Sequence, residues 1–330
     1  MKAVIPVAGA GTRLRPHTYT QPKPLLPVAG KPIIAFLIDD LRAAGVHDFV
    51  FIIGYLGEKI RGFIHENYPD LNVEFVEQNE REGLGHAIWT ARNLLEKEPE
   101  ILIVLGDTIT DLDLKKIIKT KNSCLAVKEV KDPRDFGVAE LGLDGKVMRV
   151  VEKPRIPKSN LALVGVYKIK EVNTLLDELE KNIFENQRSH GEFQLTDALM
   201  QMIQKNIQFD IERVNQWFDC GKKEVLLDTN RILLDKIIYN AADEPAFDNT
   251  IIVHPVSIGK NCQITDSIIG PHVTIGDGAV IERSLLRNSI IGAFAQLSNT
   301  ALFHSIIGND TSVFGIQKSL NIGDNTELEL

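Results

Sequence analysis

AVIPVAGAGTRLRPHTYTQPKPLLPVAGKP, Ala3 to Pro32, is the stretch that decides the fold. It opens as an apolar strand, Ala3 to Val7, and turns through Ala8, Gly9, Ala10 and Gly11. Three cations follow, Arg13, Arg15 and Lys23. A glycine turn directly after a buried strand lets backbone N–H groups converge on an anion, because no Cβ blocks the approach. Arginine adds a planar fork that matches phosphate oxygens. The prolines at 22, 24 and 27 stiffen the segment that presents Lys23. The same Gly-x-Gly can also serve as a plain tight turn. Two other phosphate loops do not match: Leu14 stands where a dinucleotide fingerprint needs glycine, and no Gly-Lys-Ser/Thr is present. The reading is a phosphate-binding loop at the carboxyl end of the first strand of an open α/β sheet.

GAGTRLRPHT followed by PKPLLPVAGKP resembles the opening of the sugar-1-phosphate nucleotidyltransferases, the NDP-sugar pyrophosphorylases. The match rests on Gly9, Gly11, Thr12, Arg13, Leu14, Pro16, Thr18, Pro22, Lys23, Lys31 and Pro32. Ala8-Gly9 stands where many members have Gly-Gly. The resemblance implies that Ala8, Gly9, Gly11 and Thr12 hold the nucleotide, and that Arg13 and Lys23 are catalytic.

Composition narrows the function classes. The chain has 330 residues, enough for two domains, and a formal net charge of −8. That balance argues against nucleic acid, whose phosphates need a basic face. Cys124, Cys220 and Cys262 are odd in number and far apart, which predicts reduced thiols in a cytoplasmic protein. Met1-Lys2 leads straight into a strand, and no apolar run reaches the ~20 residues of a membrane span, so no membrane partner is expected.

Apolar spacing then alternates between helix and strand. Ile33 to Ala44 reads as a helix, Phe49 to Ile53 as a strand, Glu58 to Asn67 as a helix and Val73 to Val76 as a strand. That order predicts a mostly parallel sheet with helices on both faces. Gln78 and Gly83 lie in a glycine-containing loop that feeds a helix from Ala87 to Glu96. As an ordinary element this is a helix start with acidic residues answering the dipole. The resemblance makes Gln78 and Gly83 the readers of a pyrimidine base, and an amide suits the imide edge of uracil or thymine. His86 is read as structural.

Ile101 to Leu105 is an apolar strand ending in Gly106-Asp107. A carboxylate there suits a hard dication, so Asp107 is a Mg²⁺ candidate; a turn cap is the plain alternative. Residues 123–170 read mostly as strands, with a hairpin at Asp144-Gly145. By resemblance, Glu152 and Lys153 of Glu-Lys-Pro contact the sugar phosphate, Gly137 and Tyr167 line the sugar pocket, and Asp219 of Trp-Phe-Asp-Cys-Gly is the second Mg²⁺ ligand. Helices are expected around Val172–Leu179, Phe193–Ile203 and Lys222–Ala242, with a break at Asp243-Glu244-Pro245.

After Asn249 aliphatics recur every five or six residues, from Ile252 through Val313, with Ile-Gly repeated. So short a period predicts a narrow solenoid, and it resembles the hexapeptide repeat of left-handed parallel β-helices. The expected layout is α/β: a Rossmann-like nucleotidyltransferase domain over residues 1–245 and a β-helix over 246–330.

The resemblance implies transfer of a nucleotidyl group from UTP or dTTP to a sugar 1-phosphate, with glucose 1-phosphate favoured, Mg²⁺ as cofactor and a homo-oligomer formed through the β-helix. Three alternatives stay open: a mannose-1-phosphate guanylyltransferase, a bifunctional uridylyltransferase and acetyltransferase, and a non-catalytic regulatory homologue. His254, His272 and His304 are expected on solvated faces. Phe294, Phe303 and Phe314 are candidate contacts for assembly, unless they fill the solenoid or pack on the first domain.

Overall fold

The computed structural model describes residues 1–237 and 246–316. Compactness divides the chain into one unit of Met1–Leu26 and Lys31–Leu226 and another of Pro27–Gly30 and Leu227–Leu330. The expected helix break at Asp243-Glu244-Pro245 lies outside the described residues, as does the end of the helix expected to reach Ala242. The helix observed there is Lys223–Leu234.

The first unit is built on a nine-stranded mixed sheet. Strand Lys2–Pro6 pairs in parallel with Asp48–Ile53 on one side and Ile101–Val104 on the other, and Asn72–Glu77 extends the parallel side. Leu161–Ile169 runs antiparallel against Ile101–Val104 and branches the sheet toward Ser123–Glu129 and toward Gly137–Leu141. The expected hairpin joins Gly137–Leu141 to Val147–Glu152, closed by Gly142 N–H on Lys146 O at 2.9 Å.

Central strands read as continuous apolar runs because both their faces are covered. Ile101 and Ile103 enter one core cluster, with Ile88, Leu175 and Leu199 from the helices on that face; Leu102 and Val104 enter the other, with Ile34, Ile38 and Ile60. The helix expected from Ala87 to Glu96 is instead two pieces, Leu84–Thr90 and Arg92–Leu95. At the join Ala91 N–H bonds Ile88 O at 3.1 Å, a tighter i−3 turn that interrupts the α-helical ladder. Phe193 belongs to the loop before its helix, which is Leu195–Gln204.

The second unit carries a left-handed parallel β-helix of three four-stranded sheets. Ile252, Ile269, Leu286 and Leu302 stack in register, as do Ile264, Ile281, Leu297 and Val313. The five-residue steps therefore shorten sides without breaking the aliphatic column. Asn230 fastens this unit internally: its Oδ1 accepts from Ala29 N–H at 2.8 Å and from Thr274 Oγ1 at 2.6 Å. The histidines expected on solvated faces are half-buried. His272 Nε2 lies 2.9 Å from Asp235 Oδ1, and His304 Nδ1 lies 2.9 Å from Asn288 Nδ2. Phe294, Phe303 and Phe314 point outward, 60%, 66% and 67% exposed, so they do not fill the solenoid.

Candidate active site

The carboxyl ends of the parallel strands open into a cleft of about 550 Å³. Ala8, Gly9, Gly11, Thr12, Arg13, Lys23, Gln78, Gly83 and Asp107 all lie in its wall. Gly11 takes φ +60, and a Cβ there would meet Thr18 Cγ2 at 3.0 Å and Lys23 Cβ at 3.1 Å. Thr18 is buried and donates to Gly11 O at 2.8 Å, which ties the glycine loop to the segment behind it. That bond gives the matched threonine its physical role.

Lys23 sits in a short turn, Lys23–Leu25, flanked by Pro22. Only 7% of it is exposed. Its Nζ donates to Asp107 Oδ2 and lies 3.4 Å from Asp219 Oδ1. Burial alone would push the ammonium pKa down, but the two carboxylates outweigh it and hold the value above 10.5. Arg13 Nη2 approaches Asp219 Oδ2 at 4.0 Å.

Strand register explains why Asp219 is there. Trp217–Asp219 pairs antiparallel with Thr108–Thr110, setting Asp219 opposite Thr108, and Cys220 N–H reaches Asp107 O at 3.3 Å. Two carboxylates more than a hundred residues apart in sequence thus face one ammonium.

A second cavity of about 210 Å³ shares Arg13 and Asp107 with the cleft, and Asp219 lies in its wall. Gly137, Glu152 and Tyr167 line it as well. Glu152 Oε2 accepts from Thr196 Oγ1 at 3.0 Å. Burial pushes the Tyr167 phenol well above its ordinary pKa, with Glu152 and Asp107 adding to the shift, so it stays a neutral donor. Lys153 is outside the walls of both cavities; it takes φ +39 and its Nζ lies 3.6 Å from Glu152 Oε1.

Sequence reading missed several wall residues. Arg81, Glu192 and Gly221 join the cleft, and Phe136, Thr196 and Trp217 join the second cavity. Thr196 interrupts an apolar helical stripe, the one signal that could have marked it. Among the described residues no helix is long and apolar enough to cross a membrane.

Residues 2–236 match the family model described as nucleotidyl transferase. The bifunctional protein GlmU of Methanocaldococcus jannaschii is 37% identical over 238 residues, which is 72% of this chain but 55% of that protein's own length. The chain therefore spans about half of that relative. The glucose-1-phosphate thymidylyltransferase of Streptomyces antibioticus is 30% identical, with 100% of this chain and 99% of the relative covered. A solved structure of UDP-glucose pyrophosphorylase with UDP-glucose superposes at a TM-score of 0.61 and 26% identity, covering 72% of this chain and 99% of that one. With its glycine loop, paired strand-end carboxylates and matched length, this chain belongs to the nucleotidyl transferase family.

Proposed function

We propose that the chain transfers a nucleotidyl group from UTP or dTTP to a sugar 1-phosphate, glucose 1-phosphate favoured, giving an NDP-sugar and pyrophosphate. One observation carries this reading: the Lys23 ammonium with its two carboxylates stands where two cavities share Asp107. Two polyanions have to meet at one place, and a buried cation there lowers their repulsion.

In this reading a sugar-phosphate oxygen attacks the α-phosphorus. A new P–O bond forms as the bond to the β-phosphate oxygen breaks, and pyrophosphate leaves with the electron pair. Backbone N–H groups of Gly9 to Thr12 hold the triphosphate, and Arg13 receives the charge that builds on the leaving group. Lys23 spans the two phosphates. Lys153 swings from Glu152 to hold the attacking phosphate, while Glu152, Gly137 and Tyr167 hold the sugar.

The donor set at Asp107 and Asp219 fits Mg²⁺, which commonly takes one or two carboxylates and fills the rest with phosphate and water. Both carboxylates approach the same Lys23 nitrogen, so their oxygens converge on one position. Bound there, Mg²⁺ would supply charge that neutralises the phosphates.

A pyrophosphate-release panel over UTP, dTTP, GTP, CTP and ATP against common sugar 1-phosphates tests the reading. UTP or dTTP is expected to lead. A lead for GTP with mannose 1-phosphate would overturn the pyrimidine assignment, and no release with any pair would favour a regulatory protein. Relatives named bifunctional favour a second reading, in which the chain carries a further activity; were that acetyl transfer, thiol release from acetyl-CoA with an amino-sugar phosphate would detect it.

A further inference from the structure

The Gln78 amide is pinned by two acceptors. Its Nε2 donates to Gly83 O at 3.2 Å and lies 3.1 Å from His86 Nδ1. A carbonyl oxygen only accepts, so the amide end facing Gly83 is the NH₂. Its other hydrogen is free for His86 Nδ1, which then serves as the acceptor. The ring proton then sits on His86 Nε2, facing Glu82 Oε2 at 3.9 Å. Glu82 is held by Arg188 Nη2 at 2.5 Å. The loops that carry these groups are zipped together: Gly85 N–H bonds Phe193 O, and Phe193 N–H bonds Glu82 O, both at 2.8 Å.

The oxygen of the amide is left over. Among the described residues nothing donates to Gln78 Oε1, yet it is not among the buried unpaired atoms. It is therefore open to the space that Gln78 borders, which is the cleft and an adjoining cavity beside Tyr55 and Lys59.

We propose that His86 is a specificity-determining positioning residue, which locks the Gln78 amide with its acceptor toward the base. This rests on the reading of Gln78 as the base contact. A fixed acceptor favours a base edge that offers N–H, the N3–H of uracil or thymine. It disfavours cytosine, whose N3 is itself an acceptor and would face the oxygen unpaired. Guanine also offers a ring N–H, so the lock separates uracil and thymine from cytosine, not pyrimidine from purine. Removing His86 takes away one of the two acceptors, and the amide can turn its NH₂ toward a cytosine.

Binding of UTP, dTTP and CTP to the full-length protein, by calorimetry in Mg²⁺, tests this. Wild type is expected to bind UTP and dTTP about tenfold or more tighter than CTP. His86→Leu is expected to cut that preference below about threefold. His86→Gln, polar but with its amide one bond further out, is expected to lose it as well and guards against a Leu variant that does not fold. His86→Asn, whose amide oxygen can stand where Nδ1 stood, is expected to keep it. The proposal is overturned if wild type shows no preference, or if folded His86→Leu or His86→Gln keeps it. Pyrophosphate release is read separately: a preference lost in the Leu and Gln variants alongside a wild type that transfers nothing would uphold the lock and remove the transfer reading.

Discussion

Lys23 Nζ lies 3.4 Å from Asp219 Oδ1, joining the first loop of the chain to the short strand Trp217–Asp219. The same nitrogen donates to Asp107. A buried ammonium without counter-charge would be strongly destabilising, and a pair of carboxylates with nothing between them would repel. Each partner thus makes the others tolerable, and together they hold a cation where, in the proposed reaction, the two phosphates would meet.

Asp107→Asn and Asp219→Asn should each lower turnover by about two orders of magnitude or more, since each removes charge from the proposed Mg²⁺ site. Circular dichroism should report an intact fold, because Lys23 keeps one carboxylate in each variant. Steady-state rates over a Mg²⁺ series are the measurement. Wild-type rates in both variants would remove the metal assignment.

The Lys23 cluster also has a pH signature. Its folded pKa is raised above 10.5, so its stabilising contribution is complete below 10.5 and fades only as pH climbs through the higher folded value. The melting-temperature gap between wild type and Lys23→Met should stay level from about pH 7 to about pH 10 and shrink beyond. A gap that closes by about pH 9 would contradict the paired geometry.

Gly83→Ala should destabilise the protein by about 1–3 kcal/mol. Gly83 takes φ +108, and a Cβ there would stand 2.6 Å from Phe193 O. Because Gly83 O anchors the Gln78 amide, KM for the pyrimidine nucleotide should rise more than kcat falls. Thermal melts and kinetics on the same preparation check both parts.

Assembly through the β-helix is expected to use its apolar side. Ile251, Ile268 and Leu285 are in register on one face and are 61%, 40% and 46% exposed. A second copy covering such a face would form a closed homo-oligomer. The double variant Ile268→Glu with Leu285→Glu should lower the mass seen by light scattering while leaving the melting temperature of the catalytic sheet unchanged. An unchanged mass, or a wild type that is already monomeric, would refute this.

The thiols give a simple control. Burial pushes the Cys124 thiol up to about 12, with Asp210 and Glu212 adding to the shift, and Cys124 and Cys220 are both fully buried. Native protein should therefore label at most Cys262 at neutral pH, and all three cysteines after unfolding.

Local chemistry made much of this protein legible from its sequence. The strand and glycine turn from Ala3 to Gly11, the alternation of apolar runs, and the five- and six-residue solenoid period depend on neighbours in the chain, so periodicity reveals them. Some motif residues of the first loop were likewise visible through local roles, as Thr18 serves Gly11, whereas Lys23 and Arg13 find their partners only in the fold. Tertiary structure alone decided the rest. The pairing of Asp219 with Asp107 comes from the register of Trp217–Asp219 on Thr108–Thr110, which no local pattern encodes. His86 read as structural because its partner, the Gln78 amide, sits on the preceding strand's exit and meets it only when the loop closes. Lys153 matched its motif, yet it is outside both cavity walls, with its Nζ 3.6 Å from Glu152 Oε1. Sequence spacing specifies what a residue can do; which groups it does it with is set by long-range register and loop closure.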